Sequence, residues 1–177
     1  MRILKATVAL ILALSTLLLA ACGETPTGRE TRSDELAEYG FHYYIPEGFS
    51  YLKTTVAEFY YTDGEATCYF LHYDKEALEE MEVDPDITVL GYTRMFMGWN
   101  DIPMNSYTYD EERNVGTIET VSDFGAGVET GMPAEYFRFQ IMRGSQLLYV
   151  LVASCPDGAQ AQYKATFDEW FNYAYAE

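Results

Sequence analysis

The alternation of apolar and polar residues in the C-terminal third of the chain predicts a strand hairpin. Residues 136–141 alternate phenylalanine or isoleucine with polar residues, which is the period-two pattern of a half-buried strand. Residues 143–146 supply turn chemistry. Residues 147–153 are apolar at every position, as in a strand covered on both faces. We therefore expect residues 147–153 to form the centre of a sheet.

The segment after this hairpin predicts an amphipathic helix that closes the domain. Asp157 is a candidate helix cap, and Gln160 three residues later would complete a capping box. Apolar residues then recur at helical spacing: Tyr163, Phe167, Trp170, Phe171 and Ala174. We expect this aromatic stripe to pack on the sheet, with Trp170 buried.

Earlier stretches add further strands and two helices. The predicted strands are residues 41–45, 49–55, 58–62, 66–73, 105–112 and 115–124. Asp63-Gly64, between the third and fourth of these, is the strongest short hairpin signal in the chain. Residues 75–82 favour a short exposed helix. Asp84-Pro85 predicts the start of a second helix, whose face would be Val89, Tyr92, Phe96 and Trp99. Residues 125–131 are glycine-rich and indicate a loop.

The N-terminal segment has the organisation of a lipoprotein signal. A basic region with Arg2 and Lys5 precedes an apolar region, and residues 19–22 (LAAC) resemble the lipobox of bacterial lipoproteins. Small residues before Cys22 fit the signal peptidase, and the Cys22 thiol would accept diacylglycerol. The alternatives are an ordinary signal peptide or an uncleaved anchor.

A lipobox implies three segments in the chain. We expect residues 1–21 to be removed as a signal peptide and residues 22–38 to form a flexible polar tether, lipid-anchored through Cys22 and carrying palmitate or a similar acyl chain. Residues 39–177 would form a single α+β domain on the extracytoplasmic face of the cell membrane.

The order of the predicted elements resembles the Mog1/PsbP-like fold, particularly its bacterial lipoprotein members. The resemblance rests on an opening strand that ends Ile45-Pro46-Glu47-Gly48-Phe49, on Gly131-Met132-Pro133-Ala134 before a long strand, and on a closing helix ending Trp170-Phe171. It implies an antiparallel β-sheet flanked by helices in an α/β/α sandwich. It also implies a non-catalytic accessory or binding role, and in the photosystem branch the retention of inorganic ions, although no ion-ligating residue transfers to this chain.

Charge narrows the range of partners. The formal net charge is −17, and it would become −19 after Arg2 and Lys5 leave with the signal. This balance argues against nucleic acid, whose phosphates require a basic face. Acyl chains on Cys22 would therefore hold the protein at the membrane without electrostatic help. An acidic run contains Asp74, Glu76, Glu79, Glu80, Glu82, Asp84 and Asp86. It has no EF-hand spacing and favours a solvated face, with weak calcium binding as the alternative.

Residue types that could support catalysis or metal binding are few and lack motifs. His42 and His72 do not belong to a run with zinc-ligand spacing. None of the candidate serines lies in a Gly-x-Ser-x-Gly elbow; they are Ser106, Ser122, Ser145 and Ser154. Cys68 and Cys155 fit buried apolar positions, with a disulfide as the alternative. We therefore expect no catalytic residue, no metal site and no cofactor.

The abundance of tyrosine is the strongest compositional signal. The chain has 16 Tyr, 10 Phe and 2 Trp residues. Neighbouring tyrosines such as Tyr43-Tyr44 and Tyr60-Tyr61 cannot both face one side of a strand, so some should lie on a second face, under a helix or open to a partner. The sequence thus favours a binding or accessory protein with an unknown protein or small-molecule partner. The alternatives are a small-ligand carrier with an aromatic pocket and an envelope hydrolase.

Overall fold

A computed structural model of the protein describes residues 40–55, 57, 59–122 and 134–177. Within these residues the chain forms a seven-stranded sheet, a two-stranded ribbon and three helices. The ribbon pairs β1 (Phe41–His42) with β9 (Tyr175–Ala176). The sheet contains β2 (Ser50–Tyr51), β3 (Phe59–Thr62), β4 (Thr67–Tyr73), β5 (Tyr107–Asp110), β6 (Val115–Ser122), β7 (Glu135–Arg143) and β8 (Leu148–Pro156). The helices are α1 (Lys75–Glu80), α2 (Val89–Trp99) and α3 (Gln160–Tyr173).

The sheet is antiparallel throughout and has the order β2-β3-β4-β8-β7-β6-β5. Strand β8 is its middle strand, and every residue from Leu148 to Cys155 is buried. This confirms the prediction that the uniformly apolar stretch is the central strand. The reason is that helices cover both faces of β8, so neither set of alternating side chains meets water.

The helix α3 and the β1–β9 ribbon cover one face of the sheet. The predicted stripe is confirmed, since Tyr163, Phe167, Trp170 and Phe171 are all buried. Aromatic rings from four segments meet beneath α3: Phe41 stacks on Tyr149 at 4.0 Å, and Phe59 stacks on Phe70 at 4.6 Å between ring centroids. Aromatic side chains therefore make up most of this core.

The helices α1 and α2 cover the opposite face. Leu78 of α1 is fully buried, and so are Tyr92 and Met97 of α2. Helix α2 approaches β6 closely at Gly116, where an added Cβ would lie 2.2 Å from Oγ1 of Thr93. The two layers of helices make the structure an antiparallel β-sheet flanked by helices, as the sequence predicts.

Two predicted helix starts are wrong. Helix α3 begins at Gln160 after Ala159, and Asp157 accepts a hydrogen bond from the Gln160 side chain (2.7 Å) instead of capping the helix. Helix α2 begins at Val89, and its cap is Thr88, whose Oγ1 accepts from the Gly91 amide at 3.0 Å. Asp84 instead closes a turn before the helix. A capping pattern identifies residues able to cap, but the turn that precedes each helix decides which of them is used.

The first predicted strand is much shorter than expected. Of residues 41–45, Phe41–His42 alone form a strand, and this strand pairs with β9, which the sequence analysis did not predict. Strand β2 likewise covers Ser50–Tyr51 and not residues 49–55. The predicted glycine-rich loop, signal peptide, lipidation site and tether lie outside the described residues. Among the described residues, no helix is both long enough and apolar enough to span a bilayer.

Candidate binding surfaces

The two histidines lie on different elements. His42 is on β1, where its Nε2 lies 3.7 Å from Oε1 of Glu177. His72 is on β4 and is half-buried. Within the described ranges, no group of three or more His, Cys, Asp and Glu side chains could hold a metal ion.

Three of the candidate nucleophiles are buried within strands of the sheet. Ser154 in β8 is buried, and its Oγ is 2.8 Å from Oγ1 of Thr67, so a hydroxyl is its neighbour. Both cysteines are buried and free. Burial raises the pKa of the Cys68 thiol well above its ordinary value and raises that of Cys155 to about 11, with nearby acidic groups adding to both shifts. A thiol with a raised pKa is a weak nucleophile at neutral pH.

The other two candidate serines with described side chains lie outside the helices and strands. Ser106 precedes β5, and Ser145 lies in the turn between β7 and β8, where its amide donates to the carbonyl of Glu177 (2.9 Å). Ser122 ends β6, and its side chain lies outside the described set.

The acidic run is divided among local roles. Asp74 caps α1 by accepting from the Ala77 amide, and Asp84 accepts from the Asp86 amide. Lys75 pairs with Asp86 at 2.7 Å and lowers the pKa of that carboxyl. These carboxylates lie along a helix and the turn after it, which is the arrangement expected of a solvated face.

A cleft of about 360 Å³ lies between α3 and the strands β6 and β7, and we call it the Arg138 cleft. Its lining residues are Glu119, Tyr136, Arg138, Gln160, Ala161, Lys164, Phe167 and Asp168. Arg138 donates to Asp168 at 2.6 Å, its Nε lies 3.5 Å from Oε1 of Glu119, and its guanidinium lies 4.8 Å above the ring of Phe171. Lys164 also donates to Asp168. Burial, together with the nearby Glu119 carboxylate, raises the pKa of Tyr136 to about 12.

The charged groups of the Arg138 cleft are thus paired with one another. Two basic side chains, Arg138 and Lys164, share the carboxylate of Asp168, while Glu119 approaches Arg138 from β6. The network joins α3 to β6 and β7, so its first consequence is to fix the helix on the sheet.

A second surface consists of aromatic rings at the ribbon and at the end of α3, of which two are about half exposed while Tyr44 is buried. We call it the tyrosine patch and define it by His42, Tyr44, Tyr173 and Tyr175. His42 stacks on Tyr175 with 4.4 Å between ring centroids, and Tyr44 lies 5.5 Å from Tyr173. Tyr173 is 51% exposed and Tyr175 is 49% exposed.

The direction of the backbone explains why His42, Tyr173 and Tyr175 face outward. Phe41 and Tyr43 point into the core, so His42 between them points away from it, whereas Tyr44 after them is buried. Ala174 is buried after α3 ends, which turns Tyr173 and Tyr175 outward on either side of it. The sequence predicted that some tyrosines would lie on a second face, under a helix or open to a partner, but it did not identify Tyr173 and Tyr175 as exposed. Tyr173 ends α3 and Tyr175 begins β9, and a two-residue strand is too short to show a pattern in the sequence.

Comparison with known proteins identifies the fold. No protein-family model matches the chain, and no curated protein matches its sequence. The solution structure of cyanobacterial PsbP (CyanoP) from Synechocystis sp. PCC 6803 matches with a TM-score of 0.51 and 12% identity, over 90% of this chain and 99% of that one. The chain has a Mog1/PsbP-like fold.

Two further solved structures show weaker similarity to this Mog1/PsbP-like chain. A crystal structure from Bacteroides thetaiotaomicron VPI-5482 has a TM-score of 0.50 and 10% identity, over 78% of this chain and 45% of that one. The Saccharomyces cerevisiae Ran-binding protein Mog1p has a TM-score of 0.48 and 11% identity, over 84% and 96% of the two chains. At these identities the similarity concerns the fold alone.

Proposed function

We propose that this protein is a non-catalytic binding domain, lipid-anchored through Cys22 at the extracytoplasmic face of the membrane, where it supports a membrane or envelope complex. The tyrosine patch is the observation that carries the proposal. Two half-exposed tyrosines, one stacked on a histidine and the other tilted against the buried ring of Tyr44, present contact area and hydroxyl groups on one surface. Tyrosine gives such contacts at low cost in side-chain entropy.

The position of the patch in the chain agrees with an anchored role. His42 and Tyr44 follow directly after the segment interpreted as the tether, residues 22–38. A flexible chain of that length spans about 20–25 Å on average. The anchor would therefore keep the tyrosine patch within reach of proteins embedded in the same membrane. The Mog1/PsbP-like fold, which the sequence resemblance associates with accessory roles, supports the same interpretation.

The anchor is tested by substitution of the lipidated cysteine. We expect Cys22→Ala to abolish metabolic labelling with a palmitate analogue and to leave the precursor at its unprocessed mass, because the thiol is the acceptor for the lipid. The matched control is Cys68→Ala, which removes a buried cysteine and should keep the label. Labelling that persists in Cys22→Ala would contradict lipidation at this residue.

The binding surface is tested by site-specific crosslinking in living cells. We expect p-benzoylphenylalanine at position 173 or 175 to give a discrete crosslinked product, and the Cys22→Ala substitution to reduce its yield. The control position is Tyr51, which is 46% exposed and lies on the outer strand β2. If all three positions gave the same products, or if none did, the tyrosine patch would not be the binding surface.

A further inference from the structure

The outer edge of β5 has main-chain groups available for another strand. Strand β5 ends the sheet, and no described strand lies beyond it. The Glu119 amide donates to the Ser106 carbonyl at 3.0 Å, and bonded pairs alternate along an antiparallel ladder. Thr108 and Asp110 therefore form the next bonded pairs with β6. The amide and carbonyl groups of Tyr107 and Tyr109 consequently point away from β6.

Strand β5 lacks three of the features by which proteins protect an outer strand. Lysine, proline and β-bulges block strand addition, but β5 reads Tyr-Thr-Tyr-Asp and pairs with β6 in regular register over all four residues. Side-chain bonds also hold it in place, since Arg94 donates to the Tyr107 hydroxyl (3.1 Å) and Tyr109 donates to Asn114 (2.8 Å). Strand β2, at the opposite edge, has two residues and offers a much shorter template.

Charge and exposure around β5 define what would bind there. Asp110, Glu111 and Glu112 are exposed at its C-terminal end, with Arg113 the basic neighbour among them. Met104, just before its N-terminal end, is 53% exposed. A second copy of this chain is a poor occupant, because each copy carries a formal charge of −17. The acidic end of the edge instead favours a basic partner.

We propose that the outer edge of β5 binds an extended basic segment of a partner protein, which joins the sheet as an antiparallel strand. Antiparallel addition places the N-terminal half of that segment beside Asp110, Glu111 and Glu112, and its C-terminal half beside Met104. The segment would thus have lysine or arginine first and β-branched or apolar residues after them. This proposal stands on a different surface from the tyrosine patch and does not depend on it.

The test uses the full chain in a neutral detergent and the blocked peptide Lys-Lys-Val-Thr-Val-Leu carrying a fluorophore. We expect binding by fluorescence anisotropy, weaker binding of the peptide with the reversed sequence, and slower hydrogen exchange of the Tyr107 and Tyr109 amides in the complex. The Thr108 amide should not change, because it already faces β6.

Two variants test the mode of binding. Tyr109→Pro removes an outward amide and should weaken binding about fivefold or more, as expected for the loss of one hydrogen bond, while the matched Tyr109→Ala keeps that amide and should bind more tightly than Tyr109→Pro. Glu111→Gln combined with Glu112→Gln leaves the backbone unchanged and should weaken binding and its dependence on salt. The double variant Tyr173→Ala, Tyr175→Ala should leave peptide binding unchanged. A loss of peptide binding at β5 can therefore be distinguished from a loss of binding at the tyrosine patch.

Several results would overturn the proposal. They are the absence of peptide binding, equal binding of the reversed peptide, and protection of amides elsewhere with none at Tyr107 and Tyr109. A dimer in sedimentation that Tyr109→Pro dissociates would show that a second copy of the chain occupies the edge.

Discussion

At the residue scale, Trp170 is the largest fully buried side chain of the α3 layer. Its side chain is fully buried, and its ring centroid lies 6.2 Å from the ring centroids of both Tyr43 and Tyr61. Trp170 therefore joins α3 to β3 and to the segment after β1. We expect Trp170→Ala to lower the free energy of unfolding by about 3–5 kcal/mol, the usual cost of truncating a buried tryptophan. Chemical denaturation measures this. The control Asn172→Ala, exposed on the same helix, should change it by less than about 0.5 kcal/mol.

The Asp168 carboxylate should make stability depend on pH. Burial acts to raise its pKa, but hydrogen bonds from Lys164 and Arg138 outweigh that effect and hold the pKa below its usual range. A carboxyl whose pKa is lower in the folded state stabilises that state above about pH 4, and this contribution is lost as the pH falls further.

We therefore expect Asp168→Asn to cost about 1 kcal/mol of unfolding free energy at pH 7, as partly exposed ion pairs do, and less at pH 3. Urea denaturation at the two pH values measures the change. Glu169→Gln, at the next residue of α3, is the control. A difference between wild type and Asp168→Asn that stayed constant with pH would show that the carboxylate contributes no ionic stabilisation.

At the scale of elements, the contact between α2 and β6 should tolerate no side chain at Gly116. A Cβ there would lie 2.2 Å from Oγ1 and 3.2 Å from Cγ2 of Thr93, which is buried and bonded to the Val89 carbonyl. We expect Gly116→Ala to destabilise the fold by about 1–3 kcal/mol, because the helix must move off the sheet. Adding Thr93→Ala should recover part of that loss. If the single variant melted like wild type, the helix would lie farther from β6 than described.

Sequence prediction succeeded for the elements whose determining interactions are local. Residues 147–153 and the Tyr163–Trp170 stripe were predicted because burial on one or both faces leaves a repeated pattern. Strand β9 was missed because its pairing partner, Phe41–His42, lies at the other end of the described chain and two residues carry no period. Gly116 carries a local signal of its contact with α2, since a glycine inside a strand often marks a close approach of another element.

At the scale of the molecule, the sequence predicted what kind of surface the protein has but not where that surface lies. The strand pattern predicted that neighbouring tyrosines lie on opposite faces, under a helix or open to a partner, and Tyr60 and Tyr61 are buried in the two opposite cores. Tyr173 and Tyr175 are exposed because the chain turns into the ribbon after α3. The Arg138 cleft was not predicted, since Arg138, Glu119 and Asp168 come from three elements and meet through sheet register and helix packing. Contacts between elements that are distant in the chain leave no characteristic residue spacing in the sequence.

The last prediction concerns the whole domain, which we expect to fold alone and without metal. The described part of residues 39–177 contains apolar cores on both faces of one sheet, built from rings and aliphatic side chains. A domain of this size buries enough of its surface to be stable unaided. A chelator should therefore leave the melting temperature of residues 39–177 unchanged, whereas millimolar calcium would raise it if the acidic run binds the ion weakly. Esterase and peptidase substrates should not be turned over. Unfolding in chelator would contradict the metal-free fold, and turnover abolished by a single substitution at His42, His72 or a serine would contradict the non-catalytic function.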